Sequence, residues 1–333
     1  MGSPTLAAVP AVRTVLGDVA VAGFGTVNYH EHLFQVSPLL PGDELDDERA
    51  SRTEAESLRD SGFAAMVEAT PTGVGRRPEA VARIAAATGL NIVATSGAHR
   101  QAHYPQGHWL TELDAGALAS RFVAEVTDGL PLHDALRNQV PAHGPAGATV
   151  RAGLLKAGID YWRISDFERR VLAAVAQAHL VTGAPIMVHL EHGSAAFEVL
   201  ALLAADGVPA DAVALAHIDR NPDPGLHAEL AAVGAYLGYD GVARSKSWPD
   251  SVLLDCLLRT AELGGQERIL LGGDVARRSR YRGYGGMPGL QYLGERFVPR
   301  LAATAPPGLL ERVLIGNPAG WLGRFESVAS API

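Results

Sequence analysis

Residues 165–190 read Ser165-Asp-Phe-Glu168-Arg-Arg-Val171-Leu-Ala-Ala-Val-Ala-Gln177-Ala-His179-Leu-Val-Thr-Gly183-Ala-Pro185-Ile-Met-Val-His189-Leu190, and how this stretch divides decides the fold. Its last 20 residues, Val171 to Leu190, hold no Asp, Glu, Lys or Arg, which approaches the length of a membrane span. Gly183 and Pro185 break the run, and Gln177, His179 and His189 make it polar. Ser165-x-x-Glu168 is a capping-box pattern, so a helix is predicted over Asp166 to Val181. Pro185 to His189 then reads as a short buried strand.

The same alternation extends in both directions. Strands are predicted at Val27 to Leu33, Ala64 to Ala69, Asn91 to Ser96, Ala152 to Ala157, Pro185 to His189, Ala212 to His217, Ala235 to Gly238 and Arg268 to Gly273. Helices are predicted between and after them, at Thr53 to Arg59, Glu79 to Ala87, Ala115 to Val126, Asp166 to Val181, Ala195 to Ala205, Gly225 to Val233, Ser251 to Leu263 and Leu290 to Leu301. Eight strand-then-helix units in a 333-residue chain fit an α/β fold of the (β/α)8 TIM barrel type. An open doubly wound sheet is the competing architecture, but Gly23-x-Gly25 lacks the third glycine of a dinucleotide fingerprint. Residues 1–333 are therefore expected to form one barrel domain, with a lid-like insertion near 99–150, where one connection is oversized.

Apolar residues make up 47% of the chain but aromatics only 6%, and there are 37 Gly and 21 Pro, so the core is expected to be aliphatic and turns frequent. This composition disfavours disordered and fibrous classes. A net charge of −8 without a basic block argues against a nucleic-acid surface. The lone Cys256, in Val252-Leu-Leu-Asp-Cys-Leu-Leu258, is expected in the core of a protein from a reducing compartment. Met1 to Ala22 has neither a basic start nor a continuous apolar run, so a cytoplasmic location is expected, without a membrane partner.

In a barrel the C-terminal ends of the strands share one mouth, and here those ends are polar. The first strand runs into His30-Glu31-His32, the fourth contains Lys156, the fifth ends at His189, the sixth at His217, and the eighth is followed by Asp274. An i, i+2 histidine pair on a strand projects to one side, which suits two ligands of one metal. Lys156, in Gly153-Leu-Leu-Lys-Ala-Gly158, is buried by the strand reading. A buried ammonium needs a partner or loses its proton. Either it forms an ion pair across the barrel, or the neutral amine takes up carbon dioxide as an anionic carbamate able to bridge two cations. Glu68 ends the second strand in the same mouth.

Taken together, Tyr29-His-Glu-His-Leu33, Gly153-Leu-Leu-Lys-Ala-Gly158, Pro185-Ile-Met-Val-His189, Gly272-Gly-Asp274 and Gly316-Asn-Pro-Ala319 resemble the phosphotriesterase family of the amidohydrolase superfamily. The resemblance implies two divalent metal ions, zinc first with manganese or cobalt as alternatives. It implies that His30, His32 and Asp274 hold the more buried ion, that N6-carboxylated Lys156 bridges, and that His189 and His217 hold the outer one. A hydroxide shared by two ions about 3.5–4 Å apart would attack the substrate. Asp274 would be the catalytic residue that accepts and returns the proton. With Lys156 present, Glu68 is expected behind the ligands rather than among them.

The loops after the seventh and eighth strands carry Arg244, Lys246, Arg277, Arg278, Arg280 and Arg282 in an otherwise acidic chain. With His217-Ile-Asp-Arg220-Asn-Pro-Asp223 they resemble the subgroup that opens phosphorylated sugar lactones. That likeness implies Lys246 and Arg277 as phosphate ligands. Arg280 stands where the subgroup's tyrosine is expected, with Tyr281 next, and both are added to the substrate-binding set. The expected function is hydrolysis of an anionic, phosphorylated furanose-type lactone. The alternatives are an N-acyl amino acid or similar anionic amide, a phosphoester or organophosphate, and a non-catalytic metal-dependent binding barrel. The expected partner is a small anionic molecule; a homodimer is left open. His99, His103 and His108 of the insertion are within the set that could touch substrate, but a histidine-rich loop is more often rim, and that is the expectation.

Overall fold

The computed structural model describes residues 8–137, 139–244 and 246–328. The chain enters through an antiparallel pair, β1 (Ala8–Thr14) and β2 (Gly17–Ala20). Eight parallel strands follow in sequential order within one sheet: β3 (Val27–Glu31), β4 (Ala65–Glu68), β5 (Asn91–Gly97), β6 (Leu154–Ile159), β7 (Ile186–Leu190), β8 (Val213–Ala216), β9 (Tyr236–Tyr239) and β10 (Ile269–Leu271). Each predicted strand is present, shifted by at most three residues at either end.

Helices α1 (Glu48–Asp60), α2 (Pro78–Thr88), α3 (Ala115–Thr127), α4 (Asp166–Thr182), α5 (Ala196–Ala205), α6 (Pro224–Val233) and α7 (Asp250–Glu262) separate the strands. The eighth predicted helix is a π-helical turn, Leu293–Phe297, that runs into α8 (Val298–Thr304). Helix α4 carries the capping box read from the sequence: Ser165 accepts from the Glu168 amide, and the Glu168 side chain accepts from the Ser165 amide. Left-handed Gly183 ends it, so the uncharged stretch divides into helix and strand as expected. Among the described residues, no helix is long and apolar enough to cross a membrane.

The ring joins between β10 and β3, where the Asp274 amide donates to the His30 carbonyl at 3.0 Å. Glycine is required there. A Cβ on Gly272 would lie 2.9 Å from the Tyr29 ring, and one on Gly273 would lie 2.1 Å from Glu31 Oε1. Val27, Tyr29, Val67, Val93, Leu154, Met187, Ala214 and Leu270 fill the interior, and Val12 of β1 with Trp321 and Leu322 near the C-terminus packs on the same cluster. Strand β11 (Phe325–Val328) pairs with β1, so both ends of the described chain meet in a three-stranded sheet beside this plug. A larger aliphatic layer lies between sheet and helices and includes buried Cys256, as expected. Asn317 of the Gly-Asn-Pro-Ala segment donates to the carbonyls of Gln266 and Ile269 at 2.9 and 2.8 Å, which fixes the start of β10.

The long connection after β5 has three parts. His99, Arg100 and His103 face the barrel mouth, α3 packs on α4 as an outer helix, and the following loop docks through Asp134 on Arg76 and the Gly73 amide.

Candidate metal centre

The strand ends open into a cavity of about 300 Å³ whose lining includes His30, His32, Lys156, His189, His217 and Asp274, all of them buried. His217 and Asp274 hold left-handed φ values of 66° and 41°. Non-glycine residues adopt that region at a cost of about 1–3 kcal/mol, and such residues cluster at functional sites.

Hydrogen bonding fixes which ring nitrogen of each histidine carries the proton. His30 Nδ1 lies 3.0 Å from Asp240 Oδ2, and His217 Nδ1 lies 2.6 Å from Asp240 Oδ1. A carboxylate accepts, so both rings donate from Nδ1 and leave Nε2 bare. His32 Nδ1 lies 2.7 Å from Thr70 Oγ1, whose single hydrogen is already given to the Phe34 carbonyl. His32 therefore also donates from Nδ1. His189 is reversed: its Nε2 lies 3.1 Å from Glu191 Oε2, leaving Nδ1 bare. His30 Nε2 and His189 Nδ1 are buried with no hydrogen-bond partner. Two orphaned lone pairs in a polar cavity are what metal ligation would satisfy.

His30 Nε2 and His32 Nε2 lie 3.8 and 3.6 Å from Asp274 Oδ1, and those three residues bring their ligand atoms within 4.8 Å of one another. The other oxygen, Oδ2, accepts from Arg220 at 2.8 Å and from Arg244. Burial opposes charge on Asp274, but Arg244, His217 and His30 hold its carboxyl well below the usual range. Lys156 Nζ donates to the Ala69 carbonyl at 2.9 Å. Burial lowers its amine to about 8, against the pull of Asp274, Asp240 and Glu68.

Glu68 stands behind this group: its Oε2 accepts from the Leu33 amide, Oε1 has no partner, and burial raises its carboxyl to about 7. Asp240 was missed by the sequence reading. Its signal was its place just past the seventh barrel strand, as His217 stands just past the sixth. Arg220 and Arg244 were visible only as members of basic or motif segments, and Thr70 and Glu191 carried no signal.

The expected substrate residues divide. Arg277 lines the cavity, half exposed, 3.5 Å from Asp43. Lys246 is exposed on the loop after β9, outside the cavity wall. Arg280 and Tyr281 are turned away, which corrects the sequence expectation. Arg280 donates to the Val275 and Val242 carbonyls at 3.2 and 3.4 Å, tying two loops together. Fully buried Tyr281 donates to the His32 carbonyl and so fixes the end of the first barrel strand. The cavity's other guanidiniums are Arg100, Arg220 and Arg244. His99 and His103 line it too, whereas His108 does not.

The parallel barrel thus brings histidines, a lysine and an aspartate to one mouth as a candidate metal-binding group. The chain belongs to the phosphotriesterase family, whose model matches residues 10–322. It is 32% identical over 323 residues to a phospho-furanose lactonase of Mycoplasmopsis agalactiae, covering 92% of this chain and 90% of that one. It is 28% identical over 286 residues to the human N-acetyltaurine hydrolase, covering 82% and 77%. The crystal structure of a lactonase from Listeria monocytogenes superposes with a TM-score of 0.83 at 30% identity, covering 95% of this chain and 99% of that one.

Proposed function

We propose that the protein is a metal-dependent hydrolase that opens an anionic, phosphorylated furanose-type lactone. The observation that carries this is the set of four histidines whose outer ring nitrogens are tied to protein and whose inner ones are bare, around Asp274 and Lys156. The similarity to a phospho-furanose lactonase supports the substrate class.

Two divalent ions, with zinc the first choice for imidazole-rich ligands, would be held by His30, His32, Lys156, His189, His217 and Asp274. When bound they supply Lewis acidity and activate a water at neutral pH. The Lys156 amine, once its ammonium proton is lost, would form an N–C bond to carbon dioxide and release one further proton, giving a carbamate; its remaining N–H can keep the bond to the Ala69 carbonyl. Asp274 is the proposed proton carrier, at Oδ1, with Arg220 and Arg244 holding Oδ2. Arg277 at the cavity wall, with Lys246 on the exposed loop after β9, would supply charge for the remote phosphate, charge that an apolar triester would leave unpaired.

The similarity to an N-acetyltaurine hydrolase favours an anionic amide as the second reading. Matched phosphorylated lactone and N-acyl substrates, assayed with the zinc-loaded protein, separate the two. A lactonase opens the lactone and leaves the amide nearly untouched, because an amine leaving group demands protonation that a lactone does not.

A further inference from the structure

We propose that His99 and His103 are hydrogen-bond donors to the substrate, reading a hydroxyl of the lactone ring on the carbon beside its carbonyl. This rests on the lactonase reading. Both rings are buried in the cavity wall, stacked with centroids 3.6 Å apart, and His99 lies 4.5 Å from the ring of His189.

Their hydrogen bonds sort them from the other four histidines. The Arg100 amide donates to His99 Nδ1 at 2.8 Å, so that nitrogen carries a lone pair and the ring proton sits on Nε2. Ser37 Oγ accepts from the Leu39 amide at 3.3 Å, and among the described residues its own hydrogen has no acceptor other than His103 Nδ1 at 3.0 Å. His103 is then protonated on Nε2 as well. Neither Nε2 has an acceptor among the described residues. Four histidines thus present lone pairs to the centre of the cavity and two present N–H groups beside it.

A lone pair binds a cation, whereas an N–H requires an acceptor oxygen. These donors are uncharged, so they suit a neutral oxygen better than the phosphate, which has arginines available. His99 lies against His189, a proposed ligand of the outer ion, so the oxygen it reads belongs next to the reacting carbonyl. In a furanose-type lactone that oxygen is the hydroxyl on the adjacent carbon.

Two measurements test this. In the zinc-loaded protein labelled with 15N-histidine, NMR is expected to show His99 and His103 protonated on Nε2; protonation on Nδ1 overturns the proposal without any substrate. In kinetics, wild type should favour a 2-hydroxylated lactone over its 2-deoxy counterpart by about tenfold or more. His99→Leu should abolish that preference, and His99→Gln, whose amide keeps an N–H, should restore part of it. Equal losses on both lactones in His99→Leu and in His103→Leu would make the pair structural and overturn the proposal. A wild type inactive on every lactone fails the lactonase reading instead, and is told apart because the tautomers are read independently.

Discussion

His30 donates from Nδ1 to Asp240 Oδ2 across 3.0 Å, inside a fully buried pair. The same carboxylate accepts hydrogen bonds from His217 Nδ1 at 2.6 Å and from the Tyr29 hydroxyl. Burial opposes its charge, yet the His30 bond and the nearby Arg220 hold Asp240 below the usual carboxylate range. One side chain therefore fixes the tautomer and tilt of two proposed ligands belonging to different ions.

Asp240→Asn is expected to weaken metal binding by about 10–100-fold, the usual effect of removing a partner behind a ligand. Zinc retained after dialysis against graded chelator measures this directly. Retention equal to wild type would show that the histidines orient themselves without Asp240.

Lys156→Ala should lose at least one metal ion per chain, with partial recovery of metal and activity when a short carboxylic acid is supplied. In wild type, 13C-labelled bicarbonate should give a carbamate carbon signal on this lysine. An unmodified ammonium in the fully metallated protein would contradict the assignment.

Glu68 gives the metal-free protein a pH signature. Its folded carboxyl is raised from 4.5 to about 7, so between those values the native state keeps a proton that the unfolded chain has lost. Its contribution to stability is therefore fully present below the unfolded value and is lost through this window, by up to about 1.4 kcal/mol per pH unit. Glu68→Gln is neutral throughout and should flatten that part of the curve. Urea unfolding at several values between pH 5 and pH 7 checks it, and identical slopes in the two proteins would assign the effect elsewhere.

The barrel was legible because each strand and helix carries its own local pattern, as in Ser165 to Leu190, where a capping box, a glycine stop and an apolar strand follow one another. The sheet of β1, β2 and β11 was not. Its pairing joins Ala8 to Val328, and no local pattern reports a contact of that range. The proposed ligands were visible as polar residues at strand ends, whereas the partners behind them depend on which side chains meet across the barrel. Arg280 and Tyr281 show the limit of counting positions. Their spacing from Asp274 is suggestive, but the loop turns the tyrosine under the first strand and spreads the arginine across backbone carbonyls.

Lys246→Ala and Arg277→Ala should each depress kcat/KM strongly for a phosphorylated lactone and little for the dephosphorylated one. A guanidinium grips phosphate bidentately and a lysine supplies a point charge. Since remote binding energy also orients the reacting carbonyl, kcat falls with it. The same factor lost on both substrates would make these residues structural and shift the anion site towards Arg220 and Arg244.

The most direct test is the initial rate of acid release by the zinc-loaded protein from a phosphorylated aldono-1,4-lactone, beside its dephosphorylated counterpart and with a metal-stripped control. Rapid, metal-dependent opening of the phosphorylated lactone, with a kcat/KM well above that of the dephosphorylated one, is the expected result. No lactone opening by protein that carries both ions, or equal rates with and without metal, would contradict it.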